Sequence, residues 1–282
     1  MSTAVVPARA VDRGALVSAL ALAALTAAAW AGVLRAAAMP MHAPGPAPSL
    51  SGGAAFTAAW GIMMAAMMLP GATPMILLYR TVSRKLVAIG NRAVPAWAFA
   101  AVYLVGWTLL GVPVYAGYVA AAWAAARWTG FAALTPWLVA LALAAAGAYQ
   151  LTAAKRACLK RCESPLGFLM RRWRSGYRAT LVLAAEHAAW CVGCCWGLML
   201  VLGAAGAMSL PWVLLIALAV STEKLFPRRG AAPLVGLLLL ALAAAVALRP
   251  ELAGTLKGSS HAGMQRHGDG PSEPSPCLCV SV

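Results

Sequence analysis

Long apolar runs, built mostly from Ala and Leu, recur along the chain and are separated by short polar or basic interruptions. A helix needs about 20 apolar residues to cross the hydrocarbon core of a bilayer, and the runs are close to that length. The pattern predicts an all-α polytopic membrane helix bundle with about seven transmembrane helices. The predicted spans are Ala15–Leu34, Ala54–Tyr79, Pro95–Val119, Phe131–Leu151, Ala179–Gly203, Met208–Phe226 and Ala231–Leu248.

The first predicted span follows Arg9 and Arg13 and is followed by Ala36, Ala37 and Ala38, an arrangement that signal peptides share. Its apolar stretch is about 20 residues long, whereas that of a signal peptide is usually about 7–15. We therefore expect this segment to be retained as a transmembrane helix.

The composition supports a membrane class. The 282 residues are 62% hydrophobic and 10% charged, whereas soluble domains carry about 25% charged residues. We expect residues 1–14 to form a cytoplasmic N-terminus and residues 15–249 the helix bundle, with a basic cytoplasmic loop at 155–178. Residues 250–282, rich in Gly, Ser and Pro, are expected to form a disordered periplasmic tail. This layout leaves no room for a soluble catalytic domain, so we expect a protein that is not an enzyme.

The net charge of +15 is distributed unevenly between the two sides of the predicted bundle. With the N-terminus inside, 17 of the Lys and Arg residues fall in cytoplasmic segments and five fall outside. Basic residues concentrate on the cytoplasmic side of membrane proteins, so the distribution predicts an N-in, C-out orientation in a bacterial cytoplasmic (inner) membrane. The charge is accounted for by topology and by anionic lipid of the bilayer, and nucleic acid is not expected as a partner.

The fifth span contains an unusual set of metal-binding side chains. His187, Cys191, Cys194 and Cys195 lie at i, i+4, i+7 and i+8, which places them on one helix face. Ionisable groups inside a bilayer are costly and mark functional sites, so the stripe predicts a metal or redox site. The alternative is packing of small residues against a neighbouring helix. Neither covalent haem nor bis-His haem fits, because the chain has no CxxCH and one His within a span.

The second span carries four methionines in six residues. Met63 and Met67 share one stripe and Met64 and Met68 the next, with two prolines just beyond that predict a kink. Thioethers are neutral and favour Cu(I), so these side chains are candidate copper ligands. The alternative is that they are flexible core residues that fill gaps.

The basic loop holds a further pair of thiols. Cys158 and Cys162 lie at i, i+4 and are expected to face the cytoplasm. Flanking Lys and Arg side chains would lower the thiol pKa and favour the thiolate that binds metal. The alternative is two incidental reduced cysteines.

Other soft donors fall outside the predicted spans. Three lie in the first external loop and five in the tail: Met39, Met41 and His42, and then His261, Met264, His267, Cys277 and Cys279. Donor-rich periplasmic segments suit copper, but such tails vary freely, so these residues are weaker candidates.

Three sequence blocks resemble a bacterial family of unknown function described as predicted metal-binding integral membrane proteins. They are WGIMMAAMMLPGATPM, YQLTAAKRACLKRCESPLGF and the long block that runs from His187 to Pro227. The resemblance implies a set of characteristic positions: Met63, Met64, Met67, Met68, Cys158, Cys162, His187, Cys191, Cys194, Cys195, Glu223 and Lys224. Arg161 departs from the family, which often has a His there, and this weakens a three-ligand site in the loop.

The leading hypothesis is a membrane protein that binds a soft metal, most simply Cu(I), and delivers it to a cuproenzyme or exchanges it with a metallochaperone. Zinc is less favoured, because the chain lacks the paired CxxC spacing of structural zinc sites. A second hypothesis is a membrane thiol–disulfide redox protein that uses Cys191 with Cys194 and Cys158 with Cys162. A third is an assembly scaffold in which the cysteines are incidental.

Overall fold

The computed structural model describes residues 13–38, 48–205, 209–225 and 230–256. Every regular element in these residues is a helix, which confirms the predicted all-α class. The helices are α1 (Arg13–Ala38), α2 (Leu50–Ala88), α3 (Ala96–Leu109), α4 (Gly111–Arg127), α5 (Phe131–Gln150), α6 (Ala153–Glu163), α7 (Pro165–Arg172), α8 (Tyr177–Ala205), α9 (Leu210–Leu225), α10 (Ala231–Leu248) and α11 (Leu252–Leu256).

Six helical segments in the described residues are long and apolar enough to cross a membrane. They are α1, α2, α5, α8 and α10, together with the pair α3–α4, which meet at Leu110 within one continuous stretch. The predicted sixth span corresponds to α9, which has 16 residues and is shorter than these six. The prediction of seven spans therefore stays a prediction.

Helix α2 is the longest of the described helices and lies at the centre of the bundle. It packs against α1, α3, α4 and α9. The Ser49 hydroxyl begins the helix by accepting a hydrogen bond from the Gly52 N–H at 3.1 Å. The Trp60 indole donates to the Trp107 carbonyl of α3 at 3.1 Å, and both rings are buried. A buried donor with a partner avoids a desolvation cost, so this bond ties α2 to α3.

Helix α8 is the second central element and packs against α3, α5, α6 and α9. Two glycines allow its neighbours to come close. A Cβ on Gly193 would lie 3.1 Å from Cys158 Sγ of α6, and a Cβ on Gly197 would lie 3.2 Å from the Tyr149 ring of α5. Small residues allow close helix approach in membrane bundles, and here they bring α6 and α5 onto α8.

The predicted basic loop is folded, because α6 and α7 occupy most of it. Thr152 accepts from the Lys155 N–H at 3.1 Å at the start of α6, and Pro165 occupies the first turn of α7. The predicted tail begins with α11, where Leu256 accepts a hydrogen bond from the Trp212 indole of α9 at 2.7 Å. The tail residues beyond 256 lie outside the described residues.

Four tryptophans near helix ends are exposed at the surface of the bundle. They are Trp97, Trp123, Trp128 and Trp137. Exposed indoles near helix ends are typical of the boundary between hydrocarbon and water.

Candidate metal centre

Three cysteine thiols from two helices meet inside the bundle. The Sγ atoms of Cys162, Cys191 and Cys194 all lie within 4.8 Å of one another, and Cys162 and Cys194 are 3.8 Å apart. Cys191 and Cys194 are buried and Cys162 is partly buried. We call these three residues the thiol cluster. Its sulfur atoms are close enough to bind one ion.

The two α8 members of the cluster are placed by helix geometry. Cys191 and Cys194 are three residues apart and therefore share a face. The Cys194 thiol donates to the Cys191 carbonyl at 3.1 Å, which fixes its rotamer. Cys195 lies beside the cluster, with its sulfur 3.3 Å from Cys194 Sγ. It is not part of the group whose ligand atoms all lie within 4.8 Å.

The sequence-based expectation for the two loop cysteines is wrong in orientation. Cys158 and Cys162 do not face outward but pack against α8, Cys158 beside Gly193 and Cys162 beside Cys194. The reason is that the close approach at Gly193 turns this face of α6 inward.

The predicted fall in thiol pKa is also wrong at Cys162. Its hydrogen bond with Cys191 raises the pKa, that with Cys194 lowers it, and burial raises it, so the pKa lies above the ordinary thiol value. The basic side chains that were expected to lower it do not dominate here, since Arg156 and Lys160 are exposed on the outer side of α6.

Next to the cluster stands a buried lysine. Lys224 Nζ donates to Cys191 Sγ at 2.8 Å and lies 3.9 Å from Met68 Sδ. The Tyr103 hydroxyl also contacts Cys191 Sγ, at 3.0 Å. Gly71 of α2 leaves room for the lysine stem, because a Cβ there would lie 2.8 Å from Lys224 Cδ. The Cys191 sulfur is therefore held by one cation and one hydroxyl.

The four predicted methionine ligands are all buried in α2. Met63, Met64, Met67 and Met68 are each no more than 1% exposed, and we call them the methionine group. Met68 lies next to the thiol cluster, because the Met68 sulfur and the Cys191 sulfur both contact the ammonium of Lys224. The structure thus places one end of the methionine group beside the thiols.

His187 is buried but belongs to a different environment. Its ring centroid lies 5.6 Å from that of Tyr103, 5.7 Å from that of Phe168 and 6.1 Å from that of Phe99. Among the described residues, the imidazole is not part of the group whose ligand atoms lie within 4.8 Å. The structure therefore surrounds this predicted ligand with aromatic rings.

A second buried polar assembly adjoins the thiol cluster at the Cys194 backbone. Lys155 Nζ is 2.7 Å from Glu223 Oε2 and also donates to the Cys194 carbonyl. Gln150 Nε2 donates to Glu223 Oε1 at 2.8 Å. These groups come from α6, α9, α8 and α5, and we call them the four-helix junction. Burial by itself lowers the pKa of Lys155, but Cys195 and Glu223 outweigh it and raise the pKa above the ordinary lysine value.

Sequence reasoning assigned no site role to three residues of this region. Tyr103 and Gln150 are single polar side chains within apolar runs, and that signal is available in the sequence. Lys155 is one of many basic residues around the loop and is 0% exposed, whereas Arg156 beside it is exposed. The difference in exposure between Lys155 and Arg156 arises from tertiary packing, which the sequence alone does not show.

The remaining candidates lie elsewhere. Glu186, which precedes His187 in α8, is partly exposed and pairs with Arg172 of α7 at 3.6 Å. The external and tail donors lie outside the described residues: Met39, Met41, His42, His261, Met264, His267, Cys277 and Cys279.

The donor set of the thiol cluster favours a soft ion. Thiolates and thioethers select Cu(I), whereas carboxylates and carbonyls suit harder ions. A three-coordinate ion with metal–sulfur bonds of about 2.3 Å would hold its sulfurs about 4 Å apart. The observed 3.8 Å between Cys162 and Cys194 fits that spacing.

A family model described as PpoB2, copper chaperone, matches residues 57–246 of this chain. The matched segment contains the thiol cluster, the methionine group and the four-helix junction. The description agrees with the metal-binding character predicted from the motifs. No curated protein and no solved structure matches the chain.

Proposed function

The chain belongs to the PpoB2 copper chaperone family, and on that premise we propose that it binds Cu(I) within a bacterial inner-membrane helix bundle and delivers it to a protein partner. Copper is the cargo rather than a resident cofactor, and the protein handles metal without catalysing a reaction. The observation that carries the proposal is the convergence of three thiol sulfurs within 4.8 Å.

The chemistry of the thiol cluster favours Cu(I) over zinc. Structural zinc is almost always held by four ligands in a tetrahedron. The cluster offers three sulfurs from two helices, a number that suits a trigonal soft ion. Lys224 beside Cys191 adds a positive charge rather than a fourth ligand. A copper ion bound by three thiolates carries a net negative charge, and this ammonium offsets part of it.

The methionine group provides the next binding position along the bundle. Met68 contacts the same ammonium as Cys191, and Met64, Met67 and Met63 continue along α2. Thioethers bind Cu(I) without adding charge, so an ion can be passed between sulfurs in a region that excludes water. In the N-in, C-out orientation this route leads from Cys158 and the thiol cluster toward the external donors Met39, Met41 and His42.

The recipient is a cuproenzyme at the membrane or in the periplasm. A metallochaperone that meets the α6 side of the bundle, where Cys158 and Cys162 are partly buried, supplies the ion. Transfer between two sulfur sites needs no nucleotide hydrolysis, because one thiolate can replace another in the coordination sphere of a soft ion.

A thiol–disulfide function is the second candidate, and one distance favours it. Cys162 Sγ and Cys194 Sγ lie 3.8 Å apart on separate helices, so the pair that would oxidise is Cys162 with Cys194. In this alternative the two sulfurs form a covalent bond and lose two electrons and two protons to the disulfide of a partner protein. Copper would then not protect the thiols from alkylation.

The test is copper binding by purified protein in detergent under reducing conditions. The wild type is expected to bind one Cu(I) at the cluster, and the Cys194→Ser variant to lose that ion. The adjacent Cys195→Ser variant is the matched control and is expected to retain it, because Cys195 lies outside the close group. Equal copper content in all three proteins would refute the proposed site.

A further inference from the structure

The thiol cluster depends on the position of a short helix. Cys162 is supplied by the 11-residue helix α6, whereas Cys191 and Cys194 belong to α8. Among the side chains described in α6, those of Lys155 and Leu159 are buried. A polar helix with so small an apolar contact needs another interaction to fix its register against the bundle.

The four-helix junction provides that interaction. Lys155 is 0% exposed and contacts Glu223 of α9 at 2.7 Å. The same ammonium donates to the carbonyl of Cys194, a member of the thiol cluster. Glu223 is in turn held by Gln150 of α5 at 2.8 Å. One side chain of α6 is thus attached to the backbone of α8 and to α9 at once.

Lys155 and Cys162 are seven residues apart, which is about two helical turns, so they point to the same side of α6. Fixing Lys155 on the Cys194 carbonyl therefore fixes the direction of Cys162 toward the Cys194 sulfur. We infer that Lys155 and Glu223 are positioning residues for the copper site, which hold Cys162 within reach of Cys191 and Cys194. That the three cysteines bind copper rests on the proposed function, whereas the effect of Lys155 and Glu223 on the Cys162–Cys194 distance does not.

The rival explanation is that the buried pair only stabilises the fold. Replacing both members of a buried ion pair by apolar residues is often neutral for stability, whereas removing one leaves an unpaired buried charge. The double variant K155L/E223L should therefore keep the protein folded while it removes the bond to the Cys194 carbonyl. Melting temperature and elution volume check that it is folded, and the single variant K155L serves for comparison.

The first measurement needs no copper. In a background with Cys158, Cys191, Cys195, Cys277 and Cys279 changed to Ser, Cys162 and Cys194 are the remaining thiols. Their oxidation to a disulfide by diamide is expected to slow by about tenfold or more in K155L/E223L, because small misplacements cost large factors in rate. The matched control is E186Q, which removes the partly exposed ion pair between Arg172 of α7 and Glu186 of α8 and should leave the rate unchanged.

The second measurement is X-ray absorption of Cu(I)-loaded protein with all seven cysteines present. The wild type and E186Q should show three sulfur neighbours and K155L/E223L two. A folded double variant with the wild-type oxidation rate would overturn the positioning role, as would three sulfurs in that variant. If no protein binds copper, the proposed function fails, and the oxidation rates alone still decide whether the junction positions Cys162.

Discussion

The ammonium of Lys224 lies 2.8 Å from the sulfur of Cys191, in the interior of the bundle. A buried lysine needs an anionic or strongly polar partner, and a thiolate that binds copper meets that need. Lys224, near the end of α9, contacts the thiol cluster through Cys191. Its Nζ also lies 3.9 Å from Met68 Sδ of α2. It is the point at which the two sulfur-rich groups meet.

Changing Lys224 to Leu should weaken Cu(I) binding. The copper–thiolate group is negatively charged, and the variant removes the adjacent positive charge, so the affinity should fall by about tenfold or more, or about 1.4 kcal/mol. Competition with a Cu(I) chelator measures this. Lys224→Arg retains the charge and should retain most of the affinity. A Leu variant with wild-type or higher affinity would show that the ammonium does not stabilise bound copper.

His187 should affect stability more than copper content. Its ring packs among Phe99, Tyr103 and Phe168, so His187→Ala should leave a cavity that costs about 2–4 kcal/mol. His187→Phe should restore most of the lost stability, and both variants should bind copper in the wild-type ratio. Thermal unfolding and metal analysis give the two readouts. Loss of copper from a stable His187→Phe variant would instead show that the imidazole is a copper ligand.

A side chain at Gly193 should separate α6 from α8. The Cβ of Gly193→Val would lie about 3.1 Å from Cys158 Sγ, and its methyl groups would come closer still. The shift of α6 should carry Cys162 away from the cluster and lower Cu(I) affinity, as measured by chelator competition. Gly203→Val lies on the same helix with nothing within 4 Å of the added Cβ, and it should bind copper normally. Equal affinities would mean that the close approach at Gly193 is not needed for the site.

The orientation can be tested with reporters. The distribution of 17 basic residues on one side and five on the other predicts that the C-terminus is periplasmic. A periplasm-active reporter fused after Val282 should be active, and the same reporter placed in the segment between α7 and α8 should be inactive. The reverse pattern would invert the proposed direction of copper transfer.

Several elements could be predicted from sequence because a single physical requirement determines them. Apolar runs in lipid must be helical, and the predicted span Ala231–Leu248 coincides with α10. The spacing of Cys191 and Cys194 likewise places both on one helix face. These features follow from local periodicity, which can be read from the sequence without knowing which helices pack together.

The partners themselves could not be predicted in this way. The spacing of Cys158 and Cys162 shows that they share a face of α6, but not that this face packs on α8. Lys155 and Arg156 are equally basic neighbours in the sequence, yet the first is 0% exposed and the second exposed. His187 continues the cysteine stripe by spacing alone, and the aromatic rings around it come from α3 and α7. Each outcome depends on contacts between helices distant in sequence.

The division of the thiol cluster between α6 and α8 bears on when the protein can acquire copper. During synthesis Cys162 leaves the ribosome about 30 residues before Cys191 and Cys194. Helix α9, which supplies Glu223 and Lys224, comes later still. A growing chain therefore has no complete site for the ion, and loading follows assembly of the bundle. On the proposed function, the protein therefore binds its copper cargo only after it has folded.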